Sequence, residues 1–135
     1  MSRSEAIARL RQSNKQSNKH SDKKEQNQDW QQANRAAAQY WSERTLTITS
    51  VDDALQALEA YYHLNAIDDY DGAAAVLLQT RHNQWRQFLP LASSLYRMGL
   101  LRPAIDAITQ VLPKVTTKRS ELNNILGDVY WITGD

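Results

Sequence analysis

The residues best suited to acid–base or metal chemistry are three histidines, His20, His63 and His82, and an acidic cluster, Asp68, Asp69 and Asp71. A metal centre or a general base needs several such groups converging at bonding distance. His20 sits in a polar tract, while His63 and His82 lie far apart and suggest no common ligand set. DDYDGA, Asp68 to Ala73, has the charge of a calcium loop without its alternate-position ligands or distal glutamate. Turn and helix-cap chemistry accounts for it better. The sequence has no cysteine, which removes disulfides, thiolate metal sites and cysteine nucleophiles. Neither a glycine-rich phosphate loop with its lysine nor a serine nucleophile elbow is present. The reading is a non-enzymatic chain with no cofactor and no metal.

Such a chain acts through surface and shape. Residues 1–50 carry nine Lys/Arg against five Asp/Glu, and residues 51–135 carry seven against ten, so the halves are +4 and −3. Residues 1–27 read as a mobile basic tail. SRSEAIARLRQ offers a short helix with Ser4 as its cap, and QSNKQSNKHSDKKEQNQ has no apolar periodicity to offset its ordering entropy. A nucleic-acid-binding arm is the alternative, since residues 1–25 hold seven Lys/Arg against three acids. No aromatic residue interleaves them, which favours a solvated tail. No apolar run approaches the roughly 18 residues that span a bilayer, and the N-terminus lacks the apolar core of a secretory signal. A cytoplasmic protein without a membrane partner is expected.

Residues 28–50 read as a capping helix and a linker. Trp30, Ala33, Ala37 and Trp41 recur at helical spacing, with Asp29 near the positive helix start. RTLTITS, Arg44 to Ser50, alternates as a strand would but reads as an extended linker. Residues 51–135 read as helical hairpins. Ser50 or Asp52 caps a helix bearing Leu55, Leu58, Tyr61, Tyr62 and Leu64. Asp68-Asp69 turn the chain into a helix that begins near Asp71 and packs Ala73 to Leu78 inward. Gln79 to Gln84 form a connection. Trp85, Phe88, Leu91, Leu95 and Met98 line the next helix, which Pro90 either kinks or restarts at Leu91. Gly99 ends that helix, and Pro103 suits the first turn of its successor. Ala104, Ile105, Ile108, Val111 and Leu112 form the successor's apolar face, closed by Pro113. Thr116, Thr117 and Ser120 offer caps for a last helix, with Leu122, Ile125, Leu126, Val129, Tyr130 and Ile132 as its apolar positions.

The hairpin recurs. Leu126, Tyr130 and Gly134 follow Leu91, Leu95 and Gly99 at a step of 35 residues, a period typical of stacked helical pairs. LGDVYWITGD, Leu126 to Asp135, resembles the first-helix motif of the tetratricopeptide repeat family at Leu126, Gly127, Tyr130, Gly134 and Asp135. The middle unit keeps Leu91, Gly99 and Ala104 but has Ala92 at the motif glycine. A third copy, ALEAYYHLNAIDDYDGAAAVLL, keeps Leu64, Asp69, Tyr70 and Ala73 and has Asp68 at the turn glycine. Residues 30–135 are also similar to the helical region that follows the ATPase core in large signal-transduction nucleoside triphosphatases with such repeats. The ATPase motifs themselves are not present.

The resemblance implies an all-α solenoid, a right-handed superhelix of two to three hairpins whose last repeat lacks its second helix. It implies a scaffold that holds a peptide or partner helix in a concave groove. The groove positions carried over are Tyr62 and Asn65, then Arg86, Ser93, Tyr96 and Arg97, then Asn124, Asp128 and Trp131. Tyr, Trp and Arg are the types enriched at binding hot spots. The final helix is expected to expose part of its packing side at Leu126, Val129 and Tyr130. That suggests a piece of a longer protein, or self-association through this open edge.

Overall fold

The computed structural model describes residues 2–7 and 20–134. Residues 3–7 form one helical turn, started by Ser2, whose hydroxyl accepts the Glu5 amide at 3.1 Å. Ser2, not Ser4, is therefore the cap. The rest of the expected tail, residues 8–19, lies outside the described residues, and the nucleic-acid arm falls largely there.

The first long helix, α1 (His20–Arg44), begins well before Asp29 and takes in the end of the polar tract. It lies along α2 (Val51–Ala66) through Asn34, Ala38 and Trp41. Ser50 caps α2, its hydroxyl accepting the Asp53 amide at 3.1 Å. Thr49 in turn donates to Asp53 from its amide and its hydroxyl, holding that carboxyl below its usual range.

Two hairpins follow one plan. After α2 the chain turns at Asp68 (φ 60°), with Asp68 donating to Asn65 O and Asp69 to Leu64 O. After α4 (Leu91–Arg97) it turns at Gly99 (φ 85°), with Gly99 donating to Tyr96 O and Leu100 to Leu95 O. Both are the paired closure in which a left-handed residue satisfies the last helical carbonyls. Asp69 then caps α3 (Tyr70–Leu78) through the Gly72 amide, while α5 (Leu101–Val111) takes Pro103 in its first turn. The last helix is α6 (Arg119–Thr133). It starts after Lys118, which is left-handed at φ 63°, with no side-chain cap. Thr116 and Thr117 instead reach back to the Asp71 carboxylate, which accepts both amides and the Thr116 hydroxyl.

The chain is mostly helical but carries a small sheet that the sequence reading replaces with helix and linker. Strand β1 (Thr47–Ile48) pairs in parallel with β2 (Thr80–Asn83), and β2 pairs antiparallel with β3 (Phe88–Pro90). Trp85 and Phe88 are therefore not helical, and α4 starts at Leu91 behind Pro90. Proline pushes the residue before it to extended backbone, so a helix running through residues 85–90 is disfavoured. Asn83 completes the turn, its Oδ1 accepting the amides of Trp85 and Gln87. One hydrophobic core runs from Ala38 through Ile48, Leu58, Leu77, Leu95 and Ile108 to Val129. Tyr61 ties it across the molecule, its hydroxyl donating to Ala107 O of α5 at 2.9 Å. No helix among the described residues is long and apolar enough to cross a membrane.

Candidate functional site

Helix α6 carries two faces. Leu122, Ile125 and Val129, at steps of three and four, are buried against the rest of the core, with α5, α3 and α4 as neighbours. Val129 is fully covered and Leu126 is packed against the core, so the open edge is not at these two residues as the sequence suggests. It is rotated toward Trp131, which is 87% exposed, with Ile132 at 58% and Tyr130 at 37%. Gly127, Tyr130, Trp131 and Gly134 line a surface groove of about 430 Å³. Their spacing, i, i+3, i+4 and i+7, keeps them on one side of the helix.

Gly127 is informative here. A glycine inside a helix costs about 0.5–1 kcal/mol relative to alanine. Its φ is not positive, and nothing lies within 4 Å of the position a Cβ would take. Neither its backbone conformation nor any neighbouring atom therefore requires a glycine. The space it leaves opens outward beside Trp131.

Of the groove positions carried over from the resemblance, Asn124, Asp128 and Trp131 share this exposed side of α6. Tyr62 is half-buried on α2, with the Arg3 guanidinium 5.6 Å over its ring and Tyr61 edge-on at 5.3 Å. Asn65 is half-buried, and its Oδ1 is enclosed without a hydrogen-bond partner. Ser93 and Tyr96 are buried within α4 packing, and Arg97 is exposed beside the Tyr96 ring. Arg86 is exposed on the β2–β3 turn at φ 60°. Gly127, Tyr130 and Gly134 complete the α6 surface and are absent from the groove set; their shared helical face is the signal.

The polar interior holds two unusual groups. His63 is fully buried between α1 and α2, with Nδ1 2.9 Å from Asn34 Oδ1. Asn34 Nδ2 donates to Trp30 O, so its Oδ1 faces the imidazole and Nδ1 carries the proton. Nε2 is then bare, enclosed and unpartnered, 4.0 Å from the Glu59 carboxylate. Glu59, one helical turn before His63, is a neighbour the linear reading passes over. Burial, with Arg3 nearby, pushes the imidazole pKa down to about 4. The second group is Arg81 of β2, fully buried, with Nη1 donating to Val76 O and Gln79 O at the end of α3. Burial lowers its pKa to about 10, and no carboxylate pairs with it among the described residues. It serves as a cap for the helix C-terminus. A further surface concavity of about 430 Å³ lies between the N-terminal turn and the α1–α2 pair, lined by Arg3, Trp41, Asp52 and Glu59 among others. Among the described residues no three His, Asp or Glu side chains gather as a metal ion would require.

The fold and its open surface define a mostly helical chain with a small sheet and an uncovered aromatic helix face. No family model, curated protein or solved structure matches it.

Proposed function

We propose that this chain is a non-enzymatic protein-interaction module that takes a partner helix on the open face of α6. The observation that carries the reading is Trp131, almost wholly exposed beside a helical glycine that no neighbouring atom requires. A large aromatic flanked by space for a second backbone is the arrangement of a hot spot and its socket. The α2–α3 and α4–α5 hairpins, closed by matching left-handed turns, with Gly134 (φ 79°) ending α6, favour a tetratricopeptide-like stack. In such a stack the outer face of α6 is where the following helix would pack.

Selection of a displayed library of helical peptides against the chain tests this. Binders should lose at least about tenfold in affinity for Trp131→Ala, the loss of a modest hot spot. They should also protect the amides of residues 124–134 from hydrogen exchange. Gly127→Ala should act in opposite directions, stabilising the free chain by about 0.5–1 kcal/mol while weakening the binders. A library that yields no helix, or binders indifferent to both substitutions, would overturn the proposal.

A further inference from the structure

The open face of α6 has a counterpart on α1. Ala33, Ala36, Ala37 and Tyr40 line a second groove, of about 280 Å³. Their spacing repeats that of Gly127, Tyr130, Trp131 and Gly134, so each set is a one-sided docking strip of two helical turns. α1 meets α2 through Asn34, Ala38 and Trp41, which leaves the Ala36 side outward.

We propose that the helix accepted by α6 is α1 of a second copy of this chain, docked head to tail. The inference rests on the preceding reading of the α6 face as a helix acceptor. Size complementarity is its first support. The α6 strip is large at the centre and small at both ends, whereas the α1 strip is small through three positions and large at the fourth. An antiparallel alignment that sets Ala36 and Ala37 opposite Tyr130 and Trp131 brings Tyr40 opposite Gly127 and Ala33 opposite Gly134. Each aromatic then meets a small residue, as interlocking helices need.

Charge is the second support. The Arg44 guanidinium lies 4.0 Å from the centre of the Tyr40 ring and has no carboxylate partner among the described residues. Asp128, next to Gly127, is exposed and has no ion-pair partner among them either. The antiparallel alignment brings the Tyr40–Arg44 pair to the level of Gly127 and Asp128, so opposite charges meet at the rim. The nearer alternatives are already engaged: Arg35 pairs with Asp69 at 2.8 Å, and Glu43 accepts from Gln39. Because two different faces meet, each docked pair leaves one face of each kind free, and assembly is open-ended.

Sedimentation and light scattering of the full chain over a micromolar series test this, with Trp131→Glu and Ala36→Glu as variants. Both positions are exposed, and circular dichroism melts would check that each variant folds. The wild-type mass should rise steadily with concentration, and each variant alone should stay monomeric. An equimolar mixture of the two should form a dimer and nothing larger, at least tenfold more tightly than either variant pairs with itself. Three results would overturn the proposal: a wild-type monomer throughout, an Ala36→Glu variant that still self-associates, or a mixture that stays monomeric. The second would mean that α6 pairs with α6. A wild-type monomer that still binds selected helices through Trp131 would remove the second copy alone; one that binds none would remove the interaction module as well.

Discussion

His63 is where mild acid should first be felt. Its proton-bearing Nδ1 is matched by Asn34, and its bare Nε2 is enclosed. Protonation would place a cation in a buried seam with Arg3 nearby and, among the described residues, the Glu59 carboxylate 4.0 Å away to offset it. Unfolded histidine titrates near 6.5, whereas the folded imidazole titrates near 4. Between those values the unfolded chain binds the extra proton, so stability is complete above about pH 6.5 and falls as the pH drops toward 4. The loss should reach the order of 3 kcal/mol at most, from about 1.36 kcal/mol per pH unit. Urea melts between pH 7 and 4 should show this slope, and His63→Gln, which keeps a donor for Asn34, should flatten it. Equal slopes in the two proteins would assign the acid response to other groups. The Asp53 and Asp71 carboxyls are held below the ordinary range by amides and hydroxyls of Thr49 and Ser50, and of Thr116 and Thr117. They add their own loss only from about pH 5 downward, where the unfolded carboxyls begin to take up protons, so the His63 slope is read between about pH 6.5 and 5.

At the scale of elements, the turns repeat more faithfully than the residues that make them. Gly99 and Asp68 occupy the same left-handed position after α4 and α2. A Cβ at Gly99 would have nothing within 4 Å, so Gly99→Ala changes backbone preference without a clash. It should cost about 1–2 kcal/mol in thermal or urea unfolding. Asp68→Gly should relieve the same strain, reduced by loss of the bond that Asp68 accepts from the Tyr70 hydroxyl at 2.8 Å. An unaffected Gly99→Ala protein would mean that the turn tolerates another conformation. These turns were legible in the sequence, as were the Pro103 start and the apolar stripe of α5, while the cap of α2 was narrowed to Ser50 or Asp52. The stripe of α2 was legible at Leu58 and Tyr61 but not at Leu55, which is exposed, and that of α6 at Leu122, Ile125 and Val129 but not at Ile132. The β2–β3 hairpin was not legible. Its inward-facing positions on β2 are Arg81 and Asn83, polar types that leave no hydrophobic alternation to read. Trp85, Phe88 and Leu91 happen to fall at near-helical intervals. The α6 face was legible at Trp131, Asp128 and Asn124 but misplaced at Val129, because Leu126, Val129 and Tyr130 are all apolar and sequence alone does not rank which turns inward.

At the scale of the whole molecule, the question is whether the hairpins unfold separately or together. In a long repeat array each unit touches only its neighbours, and cooperativity can break down along the stack. Here α3 contacts α2, α4, α5 and α6, and one apolar cluster includes residues from α1 to α6. Tyr61 reinforces this by bonding α2 to α5 from a fully buried position, where burial also pushes its hydroxyl pKa above the usual tyrosine range. The four tryptophans sample α1 at Trp30 and Trp41, the hairpin turn at Trp85 and α6 at Trp131. Fluorescence and far-ultraviolet circular dichroism should therefore trace one coincident melt. Tyr61→Phe removes a hydroxyl bonded to Ala107 O and 3.2 Å from Gln110 Oε1. Ala107 O still accepts its helical bond and Gln110 is exposed, so the cost should be about 0.5–1.5 kcal/mol. That shift should appear equally in both probes, because the lost bond joins the two hairpins. Probes that separate in Tyr61→Phe but coincide in the wild type would show this one contact coupling the hairpins; probes that separate in both would mean that the shared core does not make them one folding unit.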